Sequence, residues 1–144
     1  MDYAVYGAGS LGLIFSAFLA KNGEKFDLID RNTKSISAIK EKGIKVCGKV
    51  DFVQNVSCCL DTEVEKKYDI IFLYTKQINN VQTIEKIAKF LKEDGVICTM
   101  QNGLPEKDVA KVIGDKRAYG CAVGWGATRL EPGVSELTSE NERA

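Results

Sequence analysis

The sequence predicts an α/β fold: a single domain on a doubly wound, mostly parallel sheet. Three observations carry this. Short apolar runs alternate with helical patterns along most of the chain, the order that a parallel sheet with crossover helices requires. Two of those runs, "YDIIFLYTK" and "GVICTMQNG", are almost continuously apolar, as strands buried on both faces are. A glycine-rich turn, "GAGSLG", begins at Gly7, between the first apolar run and the first helical pattern.

The elements follow in order. "YAVY", Tyr3 to Tyr6, is a short strand that enters the glycines directly. From Leu11 the pattern turns helical, with Leu11, Ile14, Phe15, Phe18 and Leu19 recurring at spacings of three and four. Asn22-Gly23 is a good helix stop. "FDLID" is a second strand. "RNTKSISAIKEKG" is a second helix, with Ile36 and Ile39 inward and Gly43 ending it. Residues 44–56 alternate around a central glycine and predict a small hairpin. "DTEVEKK" reads as solvated, charged surface. After the strand "YDIIFLYTK", "NNVQTIEKIAKFL" predicts a helix with Val81, Ile84, Ile87, Ala88 and Leu91 on its inner side. "GVICTMQNG" is the next strand, and "PEKDVAKVIG" a short helix opened by Pro105. "RAYGCAVGWGATRLEPGVSELTSEN" reads as strand, turn at "EPG", then strand.

Composition narrows the function. The chain has 144 residues, enough for one domain with a sizeable core. Twenty Lys and Arg balance twenty Asp and Glu, which argues against nucleic acid as a main partner, because phosphate neutralisation needs a basic excess. No apolar run is long enough to span a bilayer, and the N-terminus lacks the order of a secretory signal, so the expectation is a cytoplasmic protein with no membrane partner. There is no histidine, which excludes imidazole-based triads and proton shuttles. The five cysteines include no C-x-x-C pair, so no metal site is expected. Cys98 and Cys121 read as small buried hydrophobes. The vicinal Cys58-Cys59 reads as ordinary reduced thiols rather than a redox pair.

The glycine turn has the context that a dinucleotide-binding turn needs: a strand before it, a helix after it, and an acidic residue, Asp30, closing the next strand. In such a Rossmann turn Gly7 allows the tight exit from the strand. Gly9 lets the backbone approach a pyrophosphate, and Gly12 lets the helix lie close to the sheet. The helix from Ser10 would present free N–H groups to the phosphates. Asp30 stands where a carboxylate accepts the ribose hydroxyls of NAD; Arg31 stands where a guanidinium clamps the 2′-phosphate of NADP. The residues alone leave these two open. Two further strand ends are polar, Thr75-Lys76-Gln77 and Gln101-Asn102-Gly103. Ligands of open parallel sheets sit off such ends, so Lys76 and Asn102 are expected on the rim of the same site.

Together, "YAVYGAGSLGLIFSAFLAKNG", Arg31, "LYTKQ", "MQNGLPEKDVAKVIG" and "YGCAVGWGATRLEPGVSE" resemble the N-terminal domain of ketopantoate reductases (2-dehydropantoate 2-reductases) over essentially the whole chain. The resemblance implies reduction of the ketone of 2-dehydropantoate with NADPH, giving pantoate for pantothenate and coenzyme A synthesis. It implies that Gly7, Ala8, Gly9, Ser10, Leu11 and Gly12 hold the pyrophosphate. Arg31 and Lys76 match positions that meet the 2′-phosphate end of NADPH. Asn102 matches an asparagine that contacts cofactor and substrate at a domain cleft, and Ala127 falls near a further cofactor contact. Asp30 departs from a simple NADP pattern and keeps NAD open. The family's general acid is a lysine, supported by a glutamate, on a second, all-helical domain. No residue of this chain is assigned that catalytic role. Residues 1–144 are therefore expected to be a cofactor-binding part of a two-domain enzyme, poorly active alone. The expected partner is the small-molecule substrate, with a homo-oligomer left open. Two alternatives stand beside this: another NAD(P)-dependent dehydrogenase of 2-keto or hydroxy acids, and a non-catalytic nucleotide-sensing Rossmann domain. The latter needs the glycine turn but not Lys76 or "QNG".

Overall fold

The computed structural model describes residues 1–101 and 103–140. The main sheet holds six strands: β1 (Tyr3–Tyr6), β2 (Asp27–Asp30), β5 (Ser57–Leu60), β6 (Tyr68–Leu73), β7 (Leu91–Thr99) and β8 (Ala118–Gly120). Their order is β5-β2-β1-β6-β7-β8, and every pairing is parallel. The chain builds outwards from β1 in one direction, then returns and builds in the other. That reversal leaves a crevice at the carboxyl ends of β1 and β6, where open α/β sheets place ligands.

Helices cover both faces. Helices α1 (Ser10–Lys21) and α2 (Thr33–Lys42) pack on one face, where Leu13, Ile14, Ala17 and Ile39 meet Val5 and Leu28. Helices α3 (Asn80–Ala88) and α4 (Glu106–Ile113) pack on the other, where Ile84, Ile87 and Val109 meet Tyr6, Ile71, Leu73 and Ile97. Successive strand residues alternate between these two clusters, as the two-residue period of a strand demands. Local chemistry sets the ends. Asn32 caps α2 by accepting a hydrogen bond from the Ser35 amide at 3.1 Å. Gly43, at φ 77°, ends it.

A second sheet was not apparent from the sequence. Strands β3 (Ile44–Gly48) and β4 (Phe52–Gln54) form the expected hairpin. The "EPG" turn likewise joins β9 (Trp125–Glu131) to β10 (Val134–Glu140) as an antiparallel pair. The two hairpins then unite, β10 running parallel to β3, in a four-stranded sheet of order β4-β3-β10-β9. This sheet lies across α1, with Ile44, Val46 and Leu137 in the same cluster as Leu13, Ile14 and Ala17. Helix α1 is therefore enclosed between two sheets, which explains why its apolar residues are not confined to one stripe.

Four expectations need correction. Strand β5 has no counterpart among the expected elements; its short "SCCL" sequence is half-exposed at the sheet edge. Cys58 and Cys59 on it face opposite sides and pack against the two different cores. "DTEVEKK" is not all surface: Asp61 is buried, accepts from the Tyr6 hydroxyl at 3.0 Å, and pairs with Lys86 at 2.5 Å. Burial and this carboxylate push the Tyr6 phenol well above its usual range. Val81 is exposed, and Leu91 belongs to β7 rather than the helix, because the inner stripe of α3 runs through Asn80, Ile84 and Ile87. Cys121 is exposed and Cys98 half-buried, because no helix of the described residues covers that stretch of β7 and β8 on the α1 face.

At the amino ends of the strands, Asp27 accepts from the hydroxyls of Tyr68 and Ser57, each at 2.7 Å, and pairs with Lys66 at 3.2 Å. Burial works to raise the Asp27 carboxyl, but these donors hold it below the usual carboxylate range. Folding therefore favours the ionised form, and that contribution is present at neutral pH and fades as pH falls through the folded-state pKa. Asp27→Asn is expected to cost about 2 kcal/mol at pH 7. In urea unfolding series run at pH 7 and at pH 3, the gap between wild type and variant should shrink at the lower pH.

Candidate functional site

The glycine loop leaves β1 at the sheet's crevice. Gly7 has φ 120°, and a Cβ there would lie 3.1 Å from the Thr75 amide nitrogen and 3.1 Å from the Tyr74 carbonyl carbon. The loop therefore rests directly on the segment that follows β6. Gly12 is tighter still: a Cβ there would come within 2.0 Å of the Gly7 carbonyl oxygen. Gly9 is different. Its φ of −82° suits any residue, and a Cβ would meet nothing within 4 Å. Two of the three glycines are thus required by the fold, and the middle one is not.

The start of α1 is open for recognition. Gly9 has no side chain to cap the helix, no side-chain cap is present, and the first turn carries no acidic residue. The N–H groups of a first helical turn have no partners within the helix, so they and the helix dipole are available to an anion. Asn32 closes the same position on α2. From above, the buried Ser135 of β10 donates its hydroxyl to the Ser10 carbonyl at 2.8 Å and holds the helix start in place.

Asp30 closes β2 with its carboxylate turned towards the loop. One oxygen accepts from the Ala8 amide at 2.6 Å, the other from the Asn32 amide at 2.8 Å. Arg31 follows and is exposed. Lys76 is also exposed, one residue beyond the Thr75 backbone that abuts Gly7. Gln101 ties the strand ends together. Its amide nitrogen donates to the Thr75 carbonyl at 2.6 Å and to Asn80 at 2.9 Å, and its amide oxygen accepts from Thr99 at 3.1 Å. A Cβ on Gly103 would lie 3.4 Å from the Gln77 side-chain nitrogen, so Gln77 and Gly103 are neighbours.

The structure therefore brings the glycine loop, Asp30, Thr75 and Gln101 to one edge, with Arg31 and Lys76 flanking. Asn102 lies outside the described residues. Ala127 sits in β9 of the second sheet, opposite Leu137, packed on the core beside α1 rather than at a strand end of the main sheet. Sequence reasoning passed over Asn80 and Ser135. Asn80 resembles any polar helix start, and Ser135 gives no local sign that it reaches Ser10. Among the described residues, no cluster of three or more Cys, Asp or Glu could hold a metal ion, and no helix is long and apolar enough to cross a membrane.

Residues 3–143 match the family model described as ketopantoate reductase PanE/ApbA. This chain belongs to the ketopantoate reductase family. The 2-dehydropantoate 2-reductase of Streptococcus pyogenes serotype M3 is 32% identical over 108 residues, which are 74% of this chain and 35% of that protein. The crystal structure of 2-dehydropantoate 2-reductase from Geobacter metallireducens superposes with a TM-score of 0.84 at 26% identity, covering 100% of this chain and 50% of that one. The ternary structure of D-mandelate dehydrogenase with NADH and anilino(oxo)acetate superposes at 0.87 with 26% identity, covering 96% and 46%. The chain thus spans between about a third and a half of these ketopantoate reductase relatives.

The different demands on the glycines are measurable by stability. Gly12→Ala must displace the loop or the helix and is expected to cost about 3 kcal/mol in urea unfolding. Gly9→Ala should stay within about 0.5 kcal/mol of wild type.

Proposed function

We propose that this chain is the dinucleotide-holding part of a cytoplasmic 2-dehydropantoate 2-reductase that uses NADPH. Gly9 carries this reading. The fold itself does not require glycine there, yet the residue sits at the open start of α1. A backbone kept bare at that point suits close approach by a pyrophosphate. The residues present fit the cofactor: the loop from Gly7 to Gly12 would hold the pyrophosphate, with Arg31 and Lys76 at the 2′-phosphate end. The bound dinucleotide supplies the hydride. Asp30 supports NADPH over NADH, because both its oxygens already accept backbone N–H groups and its charge steadies the loop. Gln101 keeps the ends of β6 and β7 together, and Asn102 beside it would meet cofactor and substrate. Ala127 is assigned a further cofactor contact by resemblance alone. The proton for the product hydroxyl would come from a lysine outside these residues, as the resemblance implies.

A second reading is a dehydrogenase of another 2-hydroxy acid using NADH. The superposition on D-mandelate dehydrogenase with NADH favours it. Parallel titrations with NADPH and NADH, followed by nucleotide fluorescence, separate the two. NADPH should bind more tightly than NADH. Arg31→Ala should weaken NADPH about tenfold, equivalent to about 1.4 kcal/mol, and leave NADH unchanged. Gly9→Ala should weaken both nucleotides. Unchanged NADPH affinity in Arg31→Ala would sink the assignment of the 2′-phosphate, and a wild-type preference for NADH would favour the second reading. With 2-dehydropantoate added, the chain alone should turn over slowly or not at all. Fast turnover would place the proton donor within these residues.

A further inference from the structure

A pair of thiols sits at the β7–β8 edge that no step above uses. Cys98 lies in β7, and Cys121 is the first residue after β8. Cys98 pairs with Tyr119, so Cys121, two residues further on, emerges on the same face of the sheet. The Cys121 amide donates to the Thr99 carbonyl at 2.9 Å, which keeps its backbone in strand register. The two sulfurs lie 3.2 Å apart. Cys121 is exposed and Cys98 half-buried. The other cysteines have no such arrangement. Cys58 and Cys59 face opposite sides of β5, and Cys47 lies in the second sheet near the Ser135 carbonyl.

We propose that Cys98 and Cys121 form a modification site, a dithiol that a peroxide closes into a disulfide. A disulfide needs its sulfurs at about 2.05 Å, so the pair must close by roughly 1.2 Å. Cys121 begins a stretch, residues 121–124, without regular structure, and that stretch can yield. Burial, and next the neighbouring Cys121, push the Cys98 thiol up, and Cys121 is the exposed member of the pair, so Cys121 meets the oxidant first. The Cys121 sulfur takes one oxygen from hydrogen peroxide, giving a sulfenic acid and water. The Cys98 sulfur then attacks Cys121, and the displaced hydroxyl leaves with the Cys98 proton as a second water. Two thiols are oxidised and one peroxide is reduced. The resulting bridge lands beside Thr99, whose hydroxyl bonds Gln101, and fastens β8 to the strand end that organises this edge.

The test is peptide mapping of the reduced, desalted chain after exposure to hydrogen peroxide at neutral pH. The intact mass should fall by two hydrogens, and an unreduced digest should contain Cys98 joined to Cys121. Dithiothreitol should restore the starting mass. Cys98→Ser should instead leave Cys121 as a sulfenic acid that dimedone captures, and Cys121→Ser should show no mass loss. The same treatment in guanidinium should lose the selectivity for this pair, which ties the reaction to the fold. The proposal fails if both thiols still alkylate fully after peroxide. It also fails if the bridge joins either cysteine to Cys47, Cys58, Cys59 or another chain, or if Cys121 in the wild type goes on to sulfinic acid unbridged.

Discussion

The close approach of Gly12 to the Gly7 carbonyl is the contact on which the rest depends. A Cβ on Gly12 would lie 2.0 Å from that oxygen, so α1 can pass this near the loop only without a side chain. The contact sets where α1 starts. Its first turn stands over the carboxyl ends of β1 and β6, and its body lies low enough on the sheet for a second layer to cover it. The loop is then held from three sides. Tyr74 and Thr75 support it from the segment just after β6, the Asp30 carboxylate accepts from the Ala8 amide, and the Ser135 hydroxyl donates to the Ser10 carbonyl. With its neighbours in place, the loop holds the free N–H groups of the first turn of α1 at a fixed position.

Much of the main sheet was legible because the signals are local. Strands β1, β6 and β7 contain short apolar runs, and Gly23, Gly43 and Gly114 lie where α1, α2 and α4 stop. What stayed hidden was set by partners far away in sequence. Nothing in "IKVCG" or "GVSEL" states that β3 will pair with β10, because pairing depends on what α1 leaves uncovered. Strand β5 was hidden for the opposite reason. It is a short edge strand with one neighbour, so its burial is too slight to mark the sequence. Asp61 shows a third limit. A carboxylate amid charged residues reads as surface, and only the Tyr6 hydroxyl and the Lys86 ammonium explain its burial.

The site was legible where backbone geometry dictates residue type. Gly7 and Gly12 are glycines for steric reasons, and Asp30 was placed by its position closing the next strand. The polar framework behind the site was not. Gln101 stood out at a strand end, but its partner Asn80 looked like an ordinary helix start, and the more apolar Val81 took its place in the expected inner face. Buried polar groups follow the network they complete rather than the periodicity around them. The cysteines show the same weakness: composition favoured burial for Cys98 and Cys121, whereas exposure is decided by which helices lie over β7 and β8.

The clamp on α1 bears on the timing of folding. Ser135 reaches Ser10 across 125 positions, and β10 must dock on β3 before the second layer exists. Such distant pairings are slow to form, because a long loop must close before any contact rewards it. The glycine loop is made long before β10, and its hold from above is among the last to form. Until β10 arrives, the upper side of α1, with β3 and β4 beside it, stands without its cover. An apolar surface thus stays open to chaperones for as long as β10 is still to be made and docked.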